Sequence, residues 1–123
     1  MSKKILLIED EMDQITMVSV RLKANGFKVV FAMDGEEGLK KAAEEKPDLI
    51  LLDLIIPKID GFEVSKRLKS EDSTKNIPII AITAAGIKDI EQKCRVAGMD
   101  DFIAKPYDSM ELVSKIKSFL EKK

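Results

Sequence analysis

Five short apolar runs alternate with longer segments that are polar on one face, and this alternation constrains the fold more than any other feature of the 123-residue chain. We predict that the runs are strands, and they cover residues 4–9, 28–32, 48–53, 78–83 and 101–104. The first, third and fourth are nearly unbroken in apolar character, as expected for central strands of a parallel sheet covered on both faces. The pattern therefore predicts an α/β fold in which one domain, residues 1–123, contains five βα units.

The segments between the runs show the apolar spacing of helices that lie against a sheet. The residues that carry this spacing are Ile15, Val18 and Leu22 in the first helix, and Leu112, Val113, Ile116, Phe119 and Leu120 in the last. Gly26 and Gly98 follow the first and fourth helices, where a left-handed residue often ends a helix. The second helix is the weakest prediction, because Gly35 and Gly38 both disfavour its start.

Composition excludes several classes of protein. The chain has 21 basic and 22 acidic residues and no block of five or more like charges, so we expect neither direct nucleic-acid binding nor attachment to a membrane. The single cysteine, Cys94, cannot form an internal disulfide, which favours a cytoplasmic location. The chain contains no histidine, so it can hold neither a histidine-based catalytic triad nor a phosphohistidine of its own.

Polar side chains stand where the predicted strands end. Glu9 ends the first run and Asp10 directly follows it, Asp53 ends the third run and Thr83 the fourth, while Lys105 directly follows the fifth. Right-handed crossovers place the C-terminal ends of parallel strands along one edge of the sheet. We therefore expect these five side chains to gather there, although they are scattered in sequence.

The expected cluster suits phosphoryl chemistry. Three carboxylates in one cleft repel one another unless a cation is present, and oxygen-only ligands favour Mg²⁺ or Mn²⁺ over zinc. The ammonium group of Lys105 and the hydroxyl of Thr83 could contact the remaining oxygens of a phosphoryl group. The residues thus predict phosphoryl transfer to Asp53.

Five ordered motifs make the chain, from Lys3 to about Leu120, resemble the receiver domain of bacterial two-component response regulators, of the chemotaxis-receiver-like superfamily. The motifs are Ile8-Glu9-Asp10, Leu51-Leu52-Asp53-Leu54 followed by Pro57 and Asp60-Gly61, Ile82-Thr83-Ala84, Ala97-Gly98-Met99-Asp100-Asp101-Phe102, and Lys105-Pro106. The resemblance implies a doubly wound, flavodoxin-like (βα)5 domain with a parallel sheet in the strand order 2-1-3-4-5.

The resemblance also implies a mechanism. A partner phosphohistidine, on a sensor histidine kinase or a histidine phosphotransfer protein, would donate its phosphoryl group to Asp53. Mg²⁺ would be held by Glu9, Asp10, Asp53 and the backbone carbonyl of Ile55. The family is a signalling switch rather than an enzyme, although such a domain can assist its own phosphorylation and dephosphorylation.

Further residues have implied roles in the output of this switch. Thr83 and Lys105 would contact the phosphoryl oxygens, and Phe102 occupies the position of the aromatic switch residue. A cis bond before Pro106 would direct Lys105 toward the cleft. Movement of Thr83 and Phe102 would then alter the face formed by the fourth helix, fifth strand and fifth helix, which would bind a downstream protein.

Ile55 and Ala85 flank the expected path of an attacking water and supply no base, which predicts slow loss of the phosphoryl group.

Three alternatives remain open at this point. The same sequence could be the receiver of a longer DNA-binding response regulator. An aspartyl-phosphate phosphatase of the haloacid-dehalogenase type would need a second acid two residues after its nucleophile, where this chain has Ile55. An FMN carrier would need a phosphate loop after the first strand, where this chain has the anionic run Glu9-Asp10-Glu11.

Overall fold

The computed structural model describes residues 2–84, 86 and 88–121 and shows five βα units. The strands are β1 (Lys4–Ile8), β2 (Lys28–Ala32), β3 (Leu49–Asp53), β4 (Ile79–Ala84) and β5 (Asp101–Lys105). The helices are α1 (Met12–Ala24), α2 (Gly35–Glu45), α3 (Gly61–Ser70), α4 (Ile90–Val96) and α5 (Ser109–Glu121). All neighbouring strands are parallel, and the sheet order is β2-β1-β3-β4-β5. The expected fold class and strand order are confirmed.

Helices cover both faces of the sheet and bury a separate apolar layer on each. In β1, Leu6 and Ile8 belong to the layer under α2, α3 and α4, whereas Ile5 and Leu7 belong to the layer under α1 and α5. All four side chains are fully buried, because successive residues of a strand point to opposite faces and both faces are covered. This burial explains why the central strands read as continuous apolar runs.

Helix α2 begins at Gly35 despite the low helix propensity of its two glycines. Asp34 caps the helix, since its Oδ1 accepts a hydrogen bond of 2.8 Å from the backbone N–H of Glu37. A Cβ atom at Gly38 would lie 2.7 Å from Cδ1 of Ile8. The glycine therefore lets α2 pack closely on β1, and this tertiary contact outweighs the local preference.

None of the helices in the described ranges combines the length and the apolar character needed to cross a lipid bilayer.

Candidate functional site

Three acidic side chains meet at the C-terminal edge of the sheet. Glu9 and Asp10 directly follow β1, and Asp53 is the last residue of β3, the neighbouring strand. Each contributes one carboxylate oxygen to a cluster in which these oxygens all lie within 4.8 Å of one another. Glu9 and Asp53 are buried, whereas Asp10 is exposed. The structure thus brings together the three carboxylates that the sequence placed at strand ends.

Both carboxylate oxygens of Asp53 accept hydrogen bonds. Its Oδ1 accepts one of 2.9 Å from the backbone N–H of Ile55, and its Oδ2 accepts one of 3.1 Å from Nζ of Lys105. The same Nζ lies 3.8 Å from Oε1 of Glu9. Glu9 is fixed from its other side, because its Oε2 accepts a hydrogen bond of 3.2 Å from the N–H of Glu11. Lys105 therefore bridges the two buried carboxylates.

The electrostatics of the cluster favour a bound cation. Burial, followed by the negative charge of Asp53, raises the pKa of Glu9 from 4.5 to about 7. Burial acts against the positive charge of Lys105, but its hydrogen bond to Asp53 and the charges of Asp53 and Glu9 outweigh burial and raise its pKa. One lysine thus does not offset the repulsion between the carboxylates. An oxygen-only donor set of this charge suits a hard divalent ion such as Mg²⁺.

Thr83 and Phe102 share one face of the sheet beside this cluster. Thr83 pairs with Ala104 and Ala81 pairs with Phe102, so the two side chains lie at alternate positions of the same register. Thr83 is buried, and its hydroxyl donates a hydrogen bond of 3.2 Å to the backbone carbonyl of Ala84. Phe102 is half-buried against the apolar layer under α2, α3 and α4.

The remaining residues with expected roles lie around the cluster. The Lys105-Pro106 peptide bond is cis. Ile55 is 70% exposed, and this residue meets the cluster through its backbone N–H. Ala85 lies outside the described residues, and its place beside the path of an attacking water stays a prediction.

Sequence reasoning missed the residues that support the loop after β3. Gly35 contacts this loop through its backbone N–H, which donates a hydrogen bond of 3.2 Å to the carbonyl of Pro57. Lys58, within the loop, has a positive φ of 71°. A positive φ at a lysine leaves no mark in the sequence, but a glycine at the start of a helix is a signal that could have prompted a search for a close contact.

The comparisons with known proteins agree with this geometry. The profile of the response regulator receiver domain matches residues 5–117. The alkaline phosphatase synthesis transcriptional regulatory protein PhoP of Bacillus subtilis is 41% identical over 126 residues, which cover 99% of this chain and 50% of PhoP. The polar-differentiation response regulator DivK of Brucella anthropi is 35% identical over 120 residues, which cover 98% of each chain.

A solved structure gives the same result. The receiver domain of a sensor histidine kinase from Pseudomonas aeruginosa, with a magnesium ion coordinated in its active-site cleft, has a TM-score of 0.91 and 29% identity. The match covers 99% of this chain and 100% of that one.

The chain belongs to the response regulator receiver domain family. It is a phospho-accepting signalling domain of the two-component type, and the function expected from the sequence is confirmed at this level. The chain spans half the length of PhoP and almost the whole length of DivK. The FMN-carrier and phosphatase alternatives find no support in these relatives, which are response regulators.

Proposed function

We propose that Asp53 accepts the phosphoryl group, from a phosphohistidine on a sensor histidine kinase or a histidine phosphotransfer protein. The observation that carries this proposal is the fixed, buried carboxylate of Asp53 with Lys105 at 3.1 Å and two further carboxylates beside it. An oxygen of Asp53 forms a bond to phosphorus while the phosphorus–nitrogen bond to the donor imidazole breaks. The imidazole nitrogen keeps the electron pair and takes up a proton.

Other residues of the chain orient the reacting groups. The N–H of Ile55 holds one oxygen of Asp53, and Lys105 provides a positive charge that can contact a phosphoryl oxygen. Glu9, Asp10, Asp53 and the carbonyl of Ile55 would hold Mg²⁺, and Mn²⁺ fits the same oxygen ligands. When bound, the ion supplies positive charge that offsets the charge of the phosphoryl oxygens.

Mg²⁺ should raise the melting temperature of the protein over that in chelator, and Glu9→Gln should remove most of this increase. A ligand that binds only the folded state at about 100 times its Kd adds about 2.7 kcal/mol of stability. In chelator at pH 8 the Gln variant should instead be more stable than the wild type, because it keeps the shape of Glu9 without its charge. Thermal unfolding followed by circular dichroism measures both effects.

The stability difference between Glu9→Gln and the wild type in chelator should change with pH in one direction. The pKa of Glu9 is about 7 in the folded protein against an ordinary value of 4.5, so ionisation costs stability as the pH rises between these values. The advantage of Glu9→Gln in chelator should therefore be full at pH 8 and vanish near pH 4. Glu11→Gln, which changes an exposed neighbouring acid outside the cluster, serves as the control. Equal responses of the two variants to Mg²⁺ would contradict the metal assignment.

We further propose that Thr83 and Phe102 transmit the phosphorylation state to the face formed by α4, β5 and α5. The register places both side chains on the sheet face covered by α4. Helix α4 has only seven residues, and the side chain of its N-cap residue, Asp89, makes no capping hydrogen bond. An element held by so few local bonds can shift when a dianionic phosphoryl group attracts the Thr83 hydroxyl.

Thr83→Ala should leave phosphorylation possible but blunt the response of this face. The variant removes only the hydroxyl and one methyl group, so Asp53 and Lys105 keep their contacts. Amide chemical shifts of α4 and β5, recorded by NMR with and without a small phosphodonor, measure the response. Thr74→Ala is the control, because Thr74 is a buried threonine in the turn after α3 and its hydroxyl donates a hydrogen bond to the carbonyl of Leu68. Wild-type shift changes in the phosphorylated Thr83→Ala protein would refute the switch role.

The proposed output is a contact with a downstream protein, in the cytoplasm. The relatives indicate two arrangements of a receiver domain. PhoP is a transcriptional regulatory protein of which this chain covers half, whereas this chain covers almost all of DivK. The receiver acts alone in one arrangement and within a longer DNA-binding regulator in the other. An immunoblot of the native gene product, with its size compared with 13.8 kDa, separates the two.

A further inference from the structure

We infer that Gly35 is a positioning residue for the metal site, which it serves by fixing the loop between β3 and α3 against the start of α2. This loop, residues 54–60, contains Ile55, whose carbonyl is a proposed ligand of Mg²⁺. The inference therefore rests on the proposed function of the site. Gly35 lies against Pro57 and Ile59 of this loop, so its effect on the metal site passes through the loop.

The base of the loop is closed next to Asp53. The N–H of Gly61 donates a hydrogen bond of 3.1 Å to the carbonyl of Leu54, and the N–H of Ile55 donates one of 2.9 Å to Asp53. A Cβ atom at Gly61 would lie 2.7 Å from Cα of Leu54 and 2.9 Å from the carbonyl oxygen of Asp53. The loop therefore leaves the strand in one fixed direction.

The tip of the loop is held by Gly35. Its N–H donates a hydrogen bond of 3.2 Å to the carbonyl of Pro57, two residues beyond Ile55. A Cβ atom at this glycine would lie 2.5 Å from the carbonyl oxygen of Ile59 and 2.7 Å from its Cβ. Because the nearest obstacle is a backbone atom, a side chain at position 35 must displace the loop itself. Any residue other than glycine should thus move the loop away from α2.

Lys58 ties the same two segments together. Its Nζ lies 3.7 Å from Oδ2 of Asp34 and 3.6 Å from Oε1 of Glu36, on either side of Gly35 in sequence. The side chain of Lys58 is 57% exposed, so these ion pairs add little energy. They nevertheless connect the loop tip to the start of α2, at a residue with φ of 71°.

A small displacement of the loop is enough to weaken a metal site. Mg²⁺ requires near-octahedral oxygen ligands at about 2.0–2.1 Å, and ligand groups must be held to within about 0.5 Å of their productive positions. The carbonyl of Ile55 lies between the fixed base and the Gly35 contact. When the Gly35 contact is lost, the carbonyl of Ile55 moves while the three carboxylates stay in place.

The test is the Mg²⁺ affinity of Gly35→Ala, measured by calorimetric titration of the folded full chain. Loss of such a supporting contact typically weakens metal binding by about 10-fold or more, and we expect an increase in Kd of that size. Gly26→Ala is the matched control: it has φ of 88° and nothing within 4 Å of a Cβ atom, so it strains the backbone far from the site. It should lower the melting temperature and keep the wild-type Kd.

Lys58→Ala decides the question if Gly35→Ala does not fold. It removes an exposed side chain without adding atoms, and we expect it to raise the Kd about two- to threefold. Wild-type Kd values in the folded Gly35→Ala protein, or in Lys58→Ala when the glycine variant is unfolded, would overturn the inference and leave the proposed metal site intact. No Mg²⁺ binding by the wild-type protein would overturn both.

Discussion

The Asp53→Asn protein should lose its labelling by a small phosphodonor in the presence of Mg²⁺, falling at least about 100-fold below the wild type. The amide of Asn is nearly the same size as the carboxylate but is not a nucleophile toward phosphorus. Asn can still accept the hydrogen bond that the N–H of Ile55 donates to Asp53. The variant should therefore fold. The loss of labelling is measured by counting acid-stable and acid-labile phosphate separately.

Asp60→Asn is the control for this variant. Asp60 is an exposed acid that caps α3 through a hydrogen bond of 3.0 Å from the N–H of Glu63, and Asn caps helices equally well. This protein should be labelled like the wild type. Full labelling of Asp53→Asn would show that the phosphoacceptor lies elsewhere.

Lys105→Met should slow the labelling of Asp53 by about 100-fold, the usual effect of removing one group that stabilises transition-state charge. Met keeps most of the apolar stem and removes the charge that lies 3.1 Å from Asp53 and 3.8 Å from Glu9. The initial rate of phosphate incorporation from a small phosphodonor, at fixed Mg²⁺, is the measurement. In chelator the variant should also be less stable, because two buried carboxylates then lack their cation.

Lys115→Met provides the matched comparison. Lys115 also pairs with an aspartate at 3.1 Å, Asp101, and its side chain is 29% exposed against 31% for Lys105. It lies on α5 and does not contact the carboxylate cluster. Its removal should change the labelling rate less than twofold. Equal rates for the two variants would mean that Lys105 acts only as a structural ion-pair partner.

Much of the fold and of the carboxylate cluster could be predicted from the sequence, for a physical reason. Strands buried on both faces must be apolar throughout, so the predicted runs differ from the observed strands by one residue at most at either end. Parallel strands end at a common edge, so Glu9, Asp10 and Asp53 had to meet there once the runs were identified. The strand order required the family resemblance, because periodicity does not distinguish one arrangement of parallel strands from another.

The supports of the cluster could not be predicted in this way. Gly35 reads locally as a weak helix start, whereas its role depends on a contact with Ile59 that exists only in the folded chain. The positive φ of Lys58 likewise could not be predicted from its side chain, because lysine is not among the residues that favour this conformation. The Thr83 hydroxyl bonds the carbonyl of Ala84, a rotameric choice that residue type alone does not determine. Propensities describe single residues, whereas these features depend on how a residue meets other parts of the folded chain.

The central claim is that this receiver domain takes its phosphoryl group on Asp53. Its most direct test is treatment of the wild-type chain with a small phosphodonor and saturating Mg²⁺, followed by mass-spectrometric mapping of the modified peptide. One phosphoryl group on Asp53, absent when Mg²⁺ is chelated, is the predicted result. A phosphoryl group on any other residue with Asp53 unmodified, or an unmodified chain at saturating donor and Mg²⁺, would contradict it.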